Sequence, residues 1–101
     1  MVFIYTTCAN SEEAEKLGHL ILNKKLGACV DYWPVHSIYN WEGKERSAGE
    51  VMMLITTFEP KIETVNDLIS EHHSYSTPLI GSVDVRRINR AYKEWMMTQV
   101  V

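Results

Sequence analysis

The polar and apolar positions of this chain change period several times, and each change marks an element. Residues 2–7, Val-Phe-Ile-Tyr-Thr-Thr, are β-branched and aromatic, which predicts a central strand. Asn10 then offers an N-cap, with Glu13 three residues later as in a capping box. Ala14, Leu17, Leu20 and Ile21 recur with helical spacing, while Glu12, Glu13, Glu15, Lys16, Lys24 and Lys25 take the opposite face. Acidic residues open this helix and lysines close it, which suits the macrodipole. Gly27 is the expected stop.

From Ala28 to Phe58 strand residues dominate. Cys29, Val30, Tyr32, Trp33, Val35, Ile38, Tyr39 and Trp41 precede a turn at Glu42-Gly43-Lys44, and Val51 to Phe58 follow it. Pro34 is expected to mark a bend or bulge in the first arm. Pro60 is placed to open a second helix, with Ile62, Val65, Leu68 and Ile69 as its stripe up to about His72. Residues 78–85 read as a fourth strand. Arg87 to Met97 read as a closing helix, with Ile88, Ala91, Tyr92, Trp95 and Met96 inward. The order is β-α-β-β-α-β plus a helix, the split-βαβ pattern of an α+β, ferredoxin-like sandwich. No linker or repeat interrupts it, so residues 1–101 read as one domain.

The hairpin changes the picture most. Each arm approaches a dozen residues, about twice the usual strand length of ~5–6. At ~3.3 Å per residue the arms outrun a compact domain of this size. They carry Trp33, Tyr39 and Trp41, which in water would leave an apolar patch and an open edge. Pairing with copies of the same chain removes both, so a homo-oligomer is expected.

Composition narrows the partners. With 46% hydrophobic residues the chain is an ordinary globular sequence. The formal net charge of −3, without a basic stripe, argues against nucleic acid and anionic membranes as partners. Met1 to Tyr5 are apolar but too short for a signal peptide, and no run is long enough to span a bilayer. Two cysteines without metal-site spacing read as reduced thiols, which points to the cytoplasm. There is no P-loop, dinucleotide glycine pattern, His-Glu-x-x-His or nucleophile elbow, and no enzyme is expected.

Some residues nevertheless offer chemistry. Cys29 could bind copper or another soft ion as a thiolate, or be a small buried hydrophobe. Cys8, ending the first strand, is expected to be the more exposed thiol, able to meet Cys29 across neighbouring strands. His72 and His73 point about 100° apart on a helix and do not easily share one ion. His73 reads as a helix C-terminal residue, and His72 stays a candidate ligand. His19 and His36 read as solvent-facing or interface residues.

Leu26-Gly27-Ala28-Cys29-Val30, followed by Ser37-Ile38-Tyr39-Asn40-Trp41-Glu42-Gly43-Lys44, resembles the CutA family of divalent-cation tolerance proteins. Tyr5-Thr6-Thr7-Cys8, Glu50 to Thr57, His72 to Pro78, and Tyr92 with Trp95 extend the resemblance over nearly the whole chain. It implies a ferredoxin-like trimer whose hairpins form intersubunit sheets, similar to nitrogen-regulatory signal proteins. It also implies copper or other divalent-cation tolerance, with Cys29 and His72 as the metal candidates, and no attached catalytic reaction. Trp33, Tyr39, Trp41, Glu42, Lys44, Tyr75 and Trp95 then read either as an intersubunit ligand cleft or as cross-strand packing with a turn salt bridge. The sequence departs from the family at Asp31, Val35, Asn40, Ser74 and Leu79. Leu79 stands where the family carries an acidic residue, which removes a candidate oxygen ligand. Three roles follow: a metal-responsive trimer, a trimer that binds a regulatory small molecule, or a scaffold without ligand.

Overall fold

A computed structural model describes all 101 residues. The elements are β1 (Val2–Cys8), α1 (Ser11–Asn23), β2 (Cys29–Trp41), β3 (Lys44–Thr57), a 3-10 turn (Glu59–Lys61), α2 (Ile62–His72), β4 (Ile80–Asp84) and α3 (Arg90–Gln99). The strands form one antiparallel sheet in the order β2-β3-β1-β4, so the α+β ferredoxin-like arrangement is the observed one.

Residues directly opposite each other in an antiparallel sheet share a face, so the register sorts the side chains. Val2, Ile4, Thr6 and Cys8 of β1 and Met53, Ile55 and Thr57 of β3 lie on one face and are buried. Helices α1 and α2 close over that face with Ala14, Leu17, Ile21, Val65, Leu68 and Ile69, making the main core. The opposite face carries Phe3, Tyr5, Thr7, Met52, Leu54, Trp33, Tyr39 and Trp41. Of the helices only α3 reaches it, at one end, through a small cluster of Ala28, Met96 and Val100, while Tyr75 from the segment before β4 reaches Glu50 on it. The rest of this second face has no covering layer. Tyr5 lies over Gly81, its β4 partner, where a Cβ would fall 2.5 Å from the ring.

The capping prediction holds in substance. Asn10 Oδ1 accepts the Glu13 N–H at 2.9 Å, and Glu13 Oε1 reaches back to the N–H of Ala9 at 2.9 Å. The helix stop differs. α1 ends before Lys25, whose φ of 57° is left-handed, with Lys25 N donating to Leu22 O and Leu26 N to Ile21 O at 3.0 Å. This is a Schellman closure with lysine at the position glycine usually holds. Gly27 instead allows a close approach, since a Cβ there would stand 3.0 Å from Ile21 and Ile55 methyls.

Pro34 makes no bulge. The β2–β3 ladder runs unbroken from Cys29↔Thr56 to Trp41↔Lys44. β2 is an edge strand, where a residue without an N–H is tolerated. The two-residue loop Glu42-Gly43, with φ of 52° and 77°, turns in the mirror-image sense that matches strand twist. Pro60 sits in the 3-10 turn, and α2 starts at Ile62. β4 starts at Ile80 rather than residue 78, where its pairing with Thr6 begins. The closing helix starts at Arg90, because residues 85–89 stay non-helical, with Val85 N bonded to Met1 O and Asn89 extended. Met96 is its buried inward residue, with Tyr92 and, just ahead of the helix, Ile88 half-buried against the same cluster as expected. Ala91 and Trp95 are exposed, which corrects two expected core positions.

The pairing of β1 with β3 stops at Cys8↔Val51. Beyond it, residues 35–41 and 44–50 continue as a bare two-stranded ribbon. The ribbon stretches the molecule to 46 × 25 × 21 Å.

Candidate functional site

The α1 capping box fixes Glu13 over the end of β1. That places its carboxylate beside Cys8, which points inward from the last position of the strand. His73 follows the last turn of α2 and closes the group. The ligand atoms of Cys8, Glu13 and His73 lie within 4.8 Å of one another.

Each of the three is held. His73 Nδ1 accepts the Tyr75 N–H at 3.0 Å, and its Nε2 lies 3.0 Å from Thr7 O. A backbone N–H can only donate, so Nδ1 carries the lone pair and Nε2 the proton given to Thr7. Glu13 Oε1 accepts from Ala9 N and Oε2 from Ser74 N, both at 2.9 Å. Burial works to raise the Glu13 carboxyl, but the Ala9 and Ser74 donors and His73 together outweigh it and hold it below its ordinary value. Cys8 is fully buried, and its thiol is pushed up to about 12 by burial, with Glu13 and Glu50 adding repulsion. Thiol, imidazole and carboxylate together suit a borderline or soft divalent ion such as copper or zinc. A ligating histidine commonly gives its other ring N–H to a backbone carbonyl, and the Nε2–Thr7 bond has that form.

The expectation for Cys8 is therefore corrected. It is the more buried thiol, and it faces the helices. Cys29 lies in line with Thr56 and Phe3 on the opposite face, so the two thiols cannot meet. Cys29 contacts Asp31 at 3.8 Å and Tyr92, and burial, then Asp31, raises its thiol. His72 is exposed and adjoins His73 at the Thr7 end of β1, far from Cys29 at the Phe3 end. The structure does not bring Cys29 and His72 together.

The open face holds a cleft of about 590 Å³. Tyr39, Trp41 and Tyr75 line it, as the sequence suggested, with Arg46, Glu50 and Leu79. Tyr75 Oη donates to Glu50 Oε2 at 2.7 Å, and burial followed by this acceptor raises the phenol. Trp33 and Trp95 lie outside the cleft, as do Glu42 and Lys44 at the hairpin turn. The expected turn salt bridge is absent, because the sole ion pair is Arg90–Glu94 at 3.0 Å. Tyr39 and Trp41 face Arg46 and Lys44 across the ribbon, so each ring has a cation opposite it rather than a second ring. Glu13 and His73 were visible in the sequence only as cap residues. The capping spacing was the available signal, since it draws Glu13 back over the strand end.

Over residues 2–99 the chain matches the family described as CutA1 divalent ion tolerance protein. The chain belongs to the CutA family. The divalent-cation tolerance protein CutA of Archaeoglobus fulgidus is 38% identical over 94 residues, covering 93% of this chain and 92% of that protein. The CutA of Pyrococcus horikoshii is 33% identical over 99 residues, covering 98% and 97%. Among solved structures, one described as the periplasmic divalent cation tolerance protein CutA from A. fulgidus superposes with TM-score 0.97 at 37% identity, covering both chains completely. P. horikoshii CutA1 superposes with TM-score 0.96 at 32% identity, covering 100% of this chain and 99% of that one. No helix of this CutA-family chain is long and apolar enough to cross a membrane.

Proposed function

We propose that this chain is a non-enzymatic homotrimer of divalent-cation tolerance that holds a copper or zinc ion at Cys8, Glu13 and His73. The observation that carries the metal reading is the gathering of these three ligand types within 4.8 Å, with the His73 lone pair fixed at Nδ1. A bound ion would supply a charge that ties β1, α1 and the start of the 73–79 loop together. Assembly is supported by the bare ribbon and the uncovered sheet face, and the number three follows from the family resemblance. Two free thiols suit a reducing compartment such as the cytoplasm.

Native mass spectrometry with slight excess Cu²⁺ or Zn²⁺ tests both parts at once. A trimer that gains one ion per chain is expected, with uptake lost in Cys8→Ser and His73→Gln and kept in Cys29→Ser and His72→Gln. Uptake that follows Cys29 instead moves the ion to the Cys29–Asp31 pair. A chain that takes up neither ion refutes the metal reading.

A second reading rests on the cleft, whose volume and aromatic walls suit a small ligand. In that reading the trimer answers a regulatory molecule. A thermal-shift screen that raises Tm, with the gain lost in Tyr39→Ala, is the expected result.

A further inference from the structure

The segment from His73 to Leu79 belongs to no helix or strand, yet it supplies one wall of the cleft through Tyr75 and its neighbours. Two hydrogen bonds hold its backbone. Ser74 N donates to Glu13 Oε2, and Tyr75 N donates to His73 Nδ1. No backbone-to-backbone bond outside the helices and strands involves residues 73–79. The loop is therefore fastened by the same side chains that form the candidate cation group.

Resting on the metal reading above, we infer that this fastening is a latch, with cation occupancy of the trio and the hold on Tyr75 mutually exclusive. An imidazole that gives one ring proton away has a single in-plane lone pair. In His73 that pair lies on Nδ1, because Thr7 O takes the proton of Nε2 and, sitting within the β1–β3 pairing, keeps the ring in place. The Tyr75 N–H uses the pair now. It must leave before Nδ1 can ligate. Glu13 differs, because each carboxylate oxygen has a second lone pair and can keep its amide while ligating. Ser74 thus stays anchored and Tyr75 alone is released.

Release reaches the cleft directly. Tyr75 is also tied by its hydroxyl to Glu50 at 2.7 Å, and its ring leans on that of His73 with centroids 4.9 Å apart. A backbone shift at Tyr75 therefore moves the cleft wall and frees a Glu50 oxygen. By linkage, whatever holds Tyr75 closed weakens cation binding, and the reverse.

Amide hydrogen exchange of Tyr75, followed by NMR in reducing buffer with and without saturating Zn²⁺, reads the latch. Calorimetry of the same samples reads binding, and Cys8→Ser identifies the heat that belongs to the trio. The expected result is Zn²⁺ binding with Tyr75 exchange accelerated about tenfold or more while Ser74 stays protected, the scale of one lost hydrogen bond. A second comparison uses Tyr75→Ala, which keeps the N–H, and Tyr75→Pro, which deletes it. The proline variant should bind Zn²⁺ more tightly than the alanine variant by roughly the same factor. Binding with unchanged Tyr75 exchange overturns the latch and leaves the metal reading standing. Absence of Zn²⁺ heat in the wild type overturns both. If the proline variant does not fold, the exchange measurement decides alone.

Discussion

Residues 8, 13 and 73 show how one side chain can do local and distant work together. Glu13 caps α1 and, sixty-one positions along the chain, receives Ser74. Its folded-state carboxyl lies below its ordinary value, so the charged form is the favoured one in the fold. The sign follows: this stabilisation is complete above the unfolded value near ~4.3 and fades as pH falls through the lower folded value. Glu13→Gln removes one of the two amide acceptors. It should cost about 1–2 kcal/mol at pH 7, read from urea midpoints at fixed protein concentration. The gap to wild type should shrink as the pH is lowered below ~4. A gap that stays constant down to pH 3 contradicts the assignment. The capping role of Glu13 was legible in sequence, because it depends on spacing within one turn. Its neighbours Cys8 and Ser74 were not, because the first depends on which face the sheet gives Cys8 and the second on where α2 ends in space.

Elements obeyed local rules except where packing set the end point. The apolar stripes of α1 and α2 and the hairpin turn were legible, since periods of 3.6 and 2 are properties of neighbours along the chain. The end of α1 was misread at Gly27, because the helix closes on Lys25 with a φ of 57° and glycine is needed later for clearance against Ile21 and Ile55. A lysine in the left-handed region is strained, and removing its Cβ relieves that strain. Lys25→Gly should raise stability by about 0.5–1 kcal/mol, seen as a higher urea midpoint with unchanged slope. A lower midpoint would show that the Lys25 side chain contributes more than its backbone costs. The expected bulge at Pro34 failed for a different reason: edge position, which only the sheet order reveals, makes proline harmless there.

At the scale of the whole molecule the ribbon is the unresolved stress of the single chain. Ile38 is 74% exposed on one side of it, and Tyr39 and Trp41 are exposed on the other. A lone two-stranded ribbon is at best marginally stable in water. In the proposed oligomer, copies of the chain supply the missing layer on both sides. Ile38→Lys combined with Trp41→Lys should therefore shift the native mass from oligomer towards monomer and lower Tm. An oligomer that survives both changes at micromolar concentration would place the interface elsewhere.

The sequence by itself determined the order of elements, the two helical stripes, the length of the hairpin and its turn, and the family. All of these follow from near neighbours or from a string of matched residues. Tertiary structure alone decided which face each thiol takes, that Cys8 joins Glu13 and His73, and that Cys29 and His72 stand apart. The reason is parity and register. A strand alternates its faces at every residue, so a site assembled from β1, the start of α1 and the end of α2 exists only once the sheet has set which residues stand opposite each other.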